Sequence, residues 1–152
     1  MEKRRVLFVC THNSARSQMA EAMLRTWGGD TFEAFSAGTE ATGIKAEAVQ
    51  VMNEIGLDIS GQRSKTIEEF RGQTFECFIT VCDQAQKNCP VLPGVADVGH
   101  WSVEDPSAAE GTPEERLVVF RRVRDQIRNR LRLFILAGGR ANLPRPEQTV
   151  VR

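Results

Sequence analysis

Three features of the sequence predict an α/β fold: a single domain in which a parallel sheet lies between two layers of helices. Apolar, strand-like runs alternate with amphipathic helical stretches along the chain. The first and third of these runs are almost continuously apolar, as expected of strands buried on both faces. The first run ends in a loop that sets a cysteine and an arginine at the mouth of a helix. Alternating strands and helices imply right-handed crossovers and hence a parallel sheet. With 152 residues, the chain is long enough for one real core.

The elements follow in order. Val6-Leu7-Phe8-Val9 forms the first strand. Met19, Ala20, Ala22, Met23 and Trp27 supply one face of a helix that begins near Ser17 and stops at Gly28-Gly29. Phe32 to Ser36 reads as the second strand, closed by Gly38. Ala46, Val49, Met52 and Ile55 follow helical spacing up to Gly56. Cys77 to Cys82 is the third strand, and Val98 to Trp101 a weaker fourth. In the last helix Phe120, Val123, Ile127, Leu131 and Phe134 make one stripe. Thr112 caps it, Pro113 occupies its first turn, and Gly138-Gly139 ends it. The catalytic domain is accordingly expected over 1–138, with 139–152 a flexible tail that holds two prolines.

Composition narrows the partners. Apolar residues make up 41% and charged residues 26%, the signature of an ordinary globule. Lys+Arg and Asp+Glu balance at 20 each, so overall charge suggests neither a nucleic-acid nor an anionic-membrane partner. The arginines of the last helix, Arg121, Arg122, Arg124, Arg128, Arg130 and Arg132, read as a solvated face opposite its apolar stripe. No apolar run approaches a membrane span, and no signal peptide is legible at the start. The cytoplasm is the expected compartment, where four cysteines do not form a structural disulfide framework.

The loop Cys10-Thr11-His12-Asn13-Ser14-Ala15-Arg16-Ser17 carries the chemistry. Backbone N–H groups of such a loop and of the first helical turn point at a tetrahedral oxyanion. Arg16 can grip two of its oxygens in a fork. Cys10, in the same positive field, is placed to act as a thiolate nucleophile. In an open parallel sheet, ligands bind beyond the carboxyl ends of the strands, where strand order reverses. Cys10 and Cys82 both end strands. In the order 2-1-3-4 those strands are neighbours about 4.8 Å apart. That spacing suits a disulfide, whose Cα atoms lie about 4.4–6.8 Å apart.

Cys82 and Cys89-Pro90 frame a polar stretch. Their spacing matches no zinc or Cys-x-x-Cys pattern, and neither His12 nor His100 completes a ligand set, so no metal site is expected. Two core thiols are one reading of the pair. A redox switch is the other. If residues 83–88 are helical, positions seven apart stand roughly 10.5 Å apart along the axis, too far for a disulfide, so joining them requires the segment to unwind. Cys77, inside the third strand, reads as core.

Cys10-x5-Arg16-Ser17, Gln18-Met19-Ala20-Glu21, Ser36-Ala37-Gly38, Val81-Cys82-Asp83, Cys89-Pro90, His100-Trp101 and Asp105-Pro106 together resemble the thioredoxin-coupled arsenate reductases, which share the low-molecular-weight tyrosine phosphatase fold. The resemblance runs from about Arg5 to Leu136. It implies a three-layer fold with a four-stranded parallel sheet of order 2-1-3-4. It implies that Cys10 attacks arsenate held by Arg16 and the loop from Thr11 to Ser17. Ser17 then donates to the Cys10 sulfur, and Asp105 serves as general acid. Cys82 and Cys89 pass the resulting disulfide outward to thioredoxin, and Asn13 and Ser36 support the loop by hydrogen bonds. The relay needs no bound cofactor; phosphate and sulfate are competing oxyanions, and glutaredoxin with a small thiol is the alternative electron donor.

Two departures matter. Some members bind potassium through Asn13, Glu21, Ser36 and an aspartate that aligns with Lys65 here. The reversed charge predicts that the ammonium pairs with Glu21 in the cation's place; strong potassium activation would contradict this. The phosphatases of this fold lack the two later cysteines and usually carry tyrosines after Asp-Pro, where this chain has Ser107-Ala108 and no tyrosine anywhere. Phosphomonoester hydrolysis is the second reading of the loop, and a non-enzymatic oxyanion or redox sensor the third.

Overall fold

A computed structural model describes residues 2–88 and 91–141. A parallel sheet forms from β1 (Arg4–Cys10), β2 (Phe32–Gly38), β3 (Cys77–Thr80) and β4 (Asp97–His100) in the order β2-β1-β3-β4. All three pairings are parallel. The helices are α1 (Arg16–Gly28), α2 (Ala46–Asn53), α3 (Asp83–Asn88) and α4 (Pro113–Leu136). Short 3₁₀ turns cover Ile67–Phe70 and Pro106–Ala108.

β1 is central because its sequence tolerates nothing else: Val6, Leu7, Phe8 and Val9 are all fully buried. Burying an aliphatic or aromatic side chain of this size contributes about 1.5–3 kcal/mol. Aromatic contacts then join the layers. Phe8 packs on Trp101 at 5.7 Å, Trp101 on Phe134 at 5.7 Å, and Phe134 on Phe32 at 5.2 Å, so β1, α4 and β2 share one cluster. Phe35, Phe70 and Phe75 form a second, edge-to-face trio covered by the Arg5 guanidinium.

α4 starts as its sequence dictates. Thr112 Oγ1 accepts from Glu115 N at 3.2 Å, and the Glu115 carboxylate accepts in return from Thr112 N at 3.3 Å. This reciprocal box satisfies two otherwise unpaired donors. Gly138 and Gly139, both at positive φ, end the helix.

Two expectations are corrected, and the first three residues of the expected tail are described. β3 stops at Thr80, so Cys82 lies beyond the strand, at the entrance to α3; Val81 N still bonds Val9 O at 2.9 Å and carries the ladder one step further. The α4 arginines are not a uniformly solvated face. Arg124 is buried and bonds Val51 O and Glu54, Arg121 and Arg122 pair with Glu54 and Glu104, and Arg128 and Arg130 lie over Trp27 and Trp101. They clamp α4 to the rest of the molecule. Finally, residues 139–141 are docked on the sheet. Ala141 is buried, its carbonyl accepts from Trp101 Nε1 at 2.9 Å, and its N–H donates to Asp97 Oδ2 at 2.7 Å. Gly99 makes room for it, since a Cβ there would stand 2.7 Å from the Ala141 Cβ. The remainder of the expected tail, 142–152, lies outside the described residues.

Candidate active site

At the carboxyl end of β1 the chain turns through residues 11–15 into α1. Asn13 makes the turn with φ 49°, a left-handed conformation that asparagine tolerates better than most residues. The loop is gripped from outside by its carbonyls. Those of Cys10, Thr11, His12 and Ser14 accept from the N–H groups of Thr39, Glu40, Thr42 and Lys45. The N–H groups of residues 11–15 donate to no other group among the described residues, which leaves them for an anion. Gly38 permits this wrapping. A Cβ at that position would lie 2.8 Å from both Asn13 N and Thr11 O, too close for any side chain.

Beneath the loop runs a directed chain of hydrogen bonds. The Asn13 Oδ1 atom accepts from Lys65 N at 2.9 Å and from Gln18 Nε2 at 2.7 Å. The Lys65 donor is a backbone N–H, so the orientation of the Asn13 amide is fixed and its Nδ2 must donate. It donates to Ser17 Oγ at 2.8 Å and to Ser36 Oγ at 3.0 Å. Ser36 passes its own hydrogen to Glu21 Oε1 at 2.7 Å. Ser17 Oγ, which accepts from Asn13, lies 2.8 Å from Cys10 Sγ and has its own hydrogen available for that sulfur when it is ionised. Asn13, Ser17, Gln18 and Ser36 are fully buried, and every member of the chain is satisfied.

Glu21 is buried and answered by two cations. Arg25 Nη2 hydrogen-bonds its Oε2, and Lys65 Nζ lies 3.6 Å from its Oε1. Burial pushes the Lys65 ammonium below the ordinary lysine range, against the pull of Glu21. Lys65 Nζ also donates to Arg63 O at 2.8 Å.

Above the loop a cavity of about 260 Å³ brings together Thr11, His12, Arg16, Cys82, Val103 and Asp105. Arg16 is buried and braced by Val103 O at 3.1 Å, which leaves the rest of its guanidinium facing the cavity. Asp105 Oδ1 stands 3.9 Å from Arg16 Nη2 and also accepts from Ser107 N at 2.9 Å. Asp105 therefore both starts a turn and lines the cavity beside Arg16. The Cys82 sulfur lies 3.3 Å from Thr11 Oγ1 and accepts from Ala85 N, in the first turn of α3, at 3.4 Å. His12 is half-exposed on the rim, its Nδ1 3.4 Å from Glu40 Oε2.

Of the residues singled out from the sequence, Arg16, Cys82 and Asp105 thus line one mouth, and Cys10 lies buried at the start of the loop with its sulfur against Ser17 Oγ. Asn13, Ser17, Glu21, Ser36 and Lys65 stand behind the loop, and Thr11, His12, Ser14 and Ala15 form it. Cys89 and Pro90 lie outside the described residues. Gln18 escaped notice as a supporting residue. Its signal was present: with Glu21 three residues on, it puts a second polar group on the buried side of α1.

The family described as low molecular weight phosphotyrosine protein phosphatase matches residues 5–147. An arsenate reductase of Halalkalibacterium halodurans is 45% identical over 138 residues, which span 91% of this chain and 99% of that protein. A solved arsenate reductase in its oxidized state shares 34% identity with a TM-score of 0.74, over 88% of this chain and 98% of that one. The tyrosine phosphatase Wzb from Escherichia coli K30, solved with sulphate, reaches a TM-score of 0.71 at 16% identity, over 91% of this chain and all of that one, a likeness of fold alone.

Proposed function

We propose that this chain, which belongs to the low-molecular-weight phosphotyrosine protein phosphatase family and to the arsenate reductases built on its fold, passes electrons to arsenate through Cys10, Cys82 and Cys89. The activity is the reduction of arsenate to arsenite. The observation that carries the relay is the placement of the Cys82 sulfur against Thr11, one residue from Cys10, at the mouth that Arg16 and Asp105 share.

The Cys10 thiolate attacks arsenic, a sulfur–arsenic bond forms, and one arsenate oxygen leaves as water on a proton from Asp105. Arg16 and the loop N–H groups hold the remaining oxygens and their charge. Ser17, oriented by Asn13, donates to the Cys10 sulfur while it is ionised. The Cys82 thiolate next attacks the Cys10 sulfur. A disulfide forms, the sulfur–arsenic bond breaks with its electron pair staying on arsenic, and arsenite leaves. Cys89 then attacks Cys82, which releases the Cys10 thiolate. The Cys82–Cys89 bond is left for the dithiol of thioredoxin, which is oxidised in turn.

The Lys65–Glu21 approach supports a loop that works without potassium, because an ammonium already answers the buried carboxylate. Among the described residues no helix is long and apolar enough to cross a membrane. A cytoplasmic location belongs to the proposal, since a thiol relay draws on a reducing compartment. Phosphomonoester hydrolysis is a weaker activity of the same loop, which can attack phosphorus as it does arsenic.

Arsenate-dependent NADPH oxidation with thioredoxin and its reductase tests the relay. Cys82→Ser and Cys89→Ser are each expected to abolish sustained turnover while sparing phosphomonoester hydrolysis. Undiminished turnover in either variant would refute it. A sensor would form the disulfide but show no sustained turnover with reductant present.

A further inference from the structure

Asp83 directly follows Cys82 and opens α3. Its side chain is largely exposed, yet two donors pin it: His100 Nε2 at 2.8 Å and Ser102 Oγ at 3.1 Å, both on Oδ1. His100 is itself held from behind, its Nδ1 lying 2.7 Å from Thr80 Oγ1. Thr80 and His100 are register partners at the ends of β3 and β4. The network therefore ties the first residue of α3 to the carboxyl edge of the sheet; Asp83 also lines the cavity, whereas His100 does not.

The rest of α3 is weakly held. It spans six residues, of which only Ala85 is buried. A helix this short has little stability of its own in water. Cys82 thus stands between two fixed neighbours, Val81 on the ladder of β1 and Asp83 on His100, at the head of a segment that has few anchors beyond them among the described residues.

We infer that His100 and Asp83 are positioning residues for the resolving thiol: they keep the Cys82 end of α3 on the sheet while the residues after Asp83 move. The inference rests on the relay reading of Cys10 and Cys82. In the step concerned, the Cys82 thiolate forms a bond to the Cys10 sulfur, the sulfur–arsenic bond breaks, and its electron pair reduces arsenic. That attack needs the Cys82 sulfur to stay beside Thr11. The later attack by Cys89 needs α3 to unwind without carrying Cys82 away. Pinning Asp83 reconciles these demands by setting the pivot after residue 83.

The test uses a Cys89→Ser chain, in which the relay halts at the Cys10–Cys82 bond. Quenched samples taken after arsenate addition are alkylated and read by mass spectrometry for that bond. Adding His100→Ala or Asp83→Ala should slow bond formation by about tenfold or more, the scale of loss when a reacting group is slightly misplaced. The two together should be no slower than either alone, and Asp83→Asn, which keeps an oxygen acceptor, should retain most of the rate. Phosphomonoester hydrolysis by the His100→Ala chain, which needs no Cys82, should keep its kcat and KM. Bond formation at the parent rate in His100→Ala would overturn the inference, as would an equal loss in hydrolysis. If the Cys89→Ser parent never forms the bond, the relay reading falls and takes this inference with it.

Discussion

Asp105 Oδ1 does two things at once: it accepts from Ser107 N at 2.9 Å and stands 3.9 Å from Arg16. The first is a turn contact that any Asp-Pro pair can make. The second is what a general acid requires, nearness to the leaving oxygen of a bound oxyanion. Asp105→Asn separates them, because asparagine keeps an oxygen for Ser107 N but has no carboxyl proton to give. We expect formation of the arsenic adduct to slow by about 10²–10⁴-fold, the usual contribution of a positioned acid, with thermal stability unchanged. Stopped-flow measurement of the first turnover, beside a melting curve, checks both. A wild-type rate would leave Asp105 with the turn alone. Asn13 has a comparable double role, and the reason it had to be asparagine is now physical. The position needs a residue that accepts φ 49°, donates twice and accepts twice.

At the scale of elements, α2 and α4 are joined by ions as much as by apolar packing. Glu54, just past α2, receives Arg121 and Arg124, and Glu47 receives Arg116. The hydrogen bond from Arg121, with that from Arg124, holds the Glu54 carboxyl below the usual glutamate range. Its contribution to stability is therefore present above the unfolded-state pKa of about 4.3 and is lost as pH falls through the depressed folded value. Glu54→Gln should reduce the loss of stability between about pH 6 and pH 3, measured by urea unfolding. An unchanged pH slope would show that the pair contributes nothing, as many exposed pairs do. The strands and long helices were legible because their periodicity and caps act locally: the apolar run of β1, the stripe of α4 and the Thr112–Glu115 box need no knowledge of neighbours. The arginine clamps were not legible, because a charge on a helix face reads as solvated until its partner on another element is known. The end of β3 was misread for a similar reason. Val81 and Cys82 are as apolar as the strand, but β4 ends opposite Thr80 and the chain turns there into α3.

For the whole molecule, closure of the sheet depends on three residues that carry almost no sequence signal. Gly139, Arg140 and Ala141 follow the stop of α4 and offer little to a core, so composition alone assigns them to a loose tail. Their anchors are backbone atoms: Gly139 O accepts from Arg4 Nη2 and from the Cys77 thiol, Ala141 O from Trp101 Nε1, and Ala141 N donates to Asp97. Burial pushes the Cys77 thiol up, which keeps it protonated as the donor that Gly139 O requires. Trp101 touches both Phe8 and Phe134, so the atom that satisfies its indole N–H also fixes the plane on which sheet and α4 meet. A chain ending at Gly138 should lose about 1–3 kcal/mol for the orphaned indole donor alone, and a chain ending at Ala141 should keep those contacts. Urea unfolding of the two truncated chains checks the difference. Equal stabilities would mean that water replaces the Ala141 carbonyl at no cost. The active-site mouth lies at the opposite, carboxyl end of β1 and β3 from Arg4 and Cys77, so phosphomonoester hydrolysis at low temperature should be alike in both chains even where their stabilities differ.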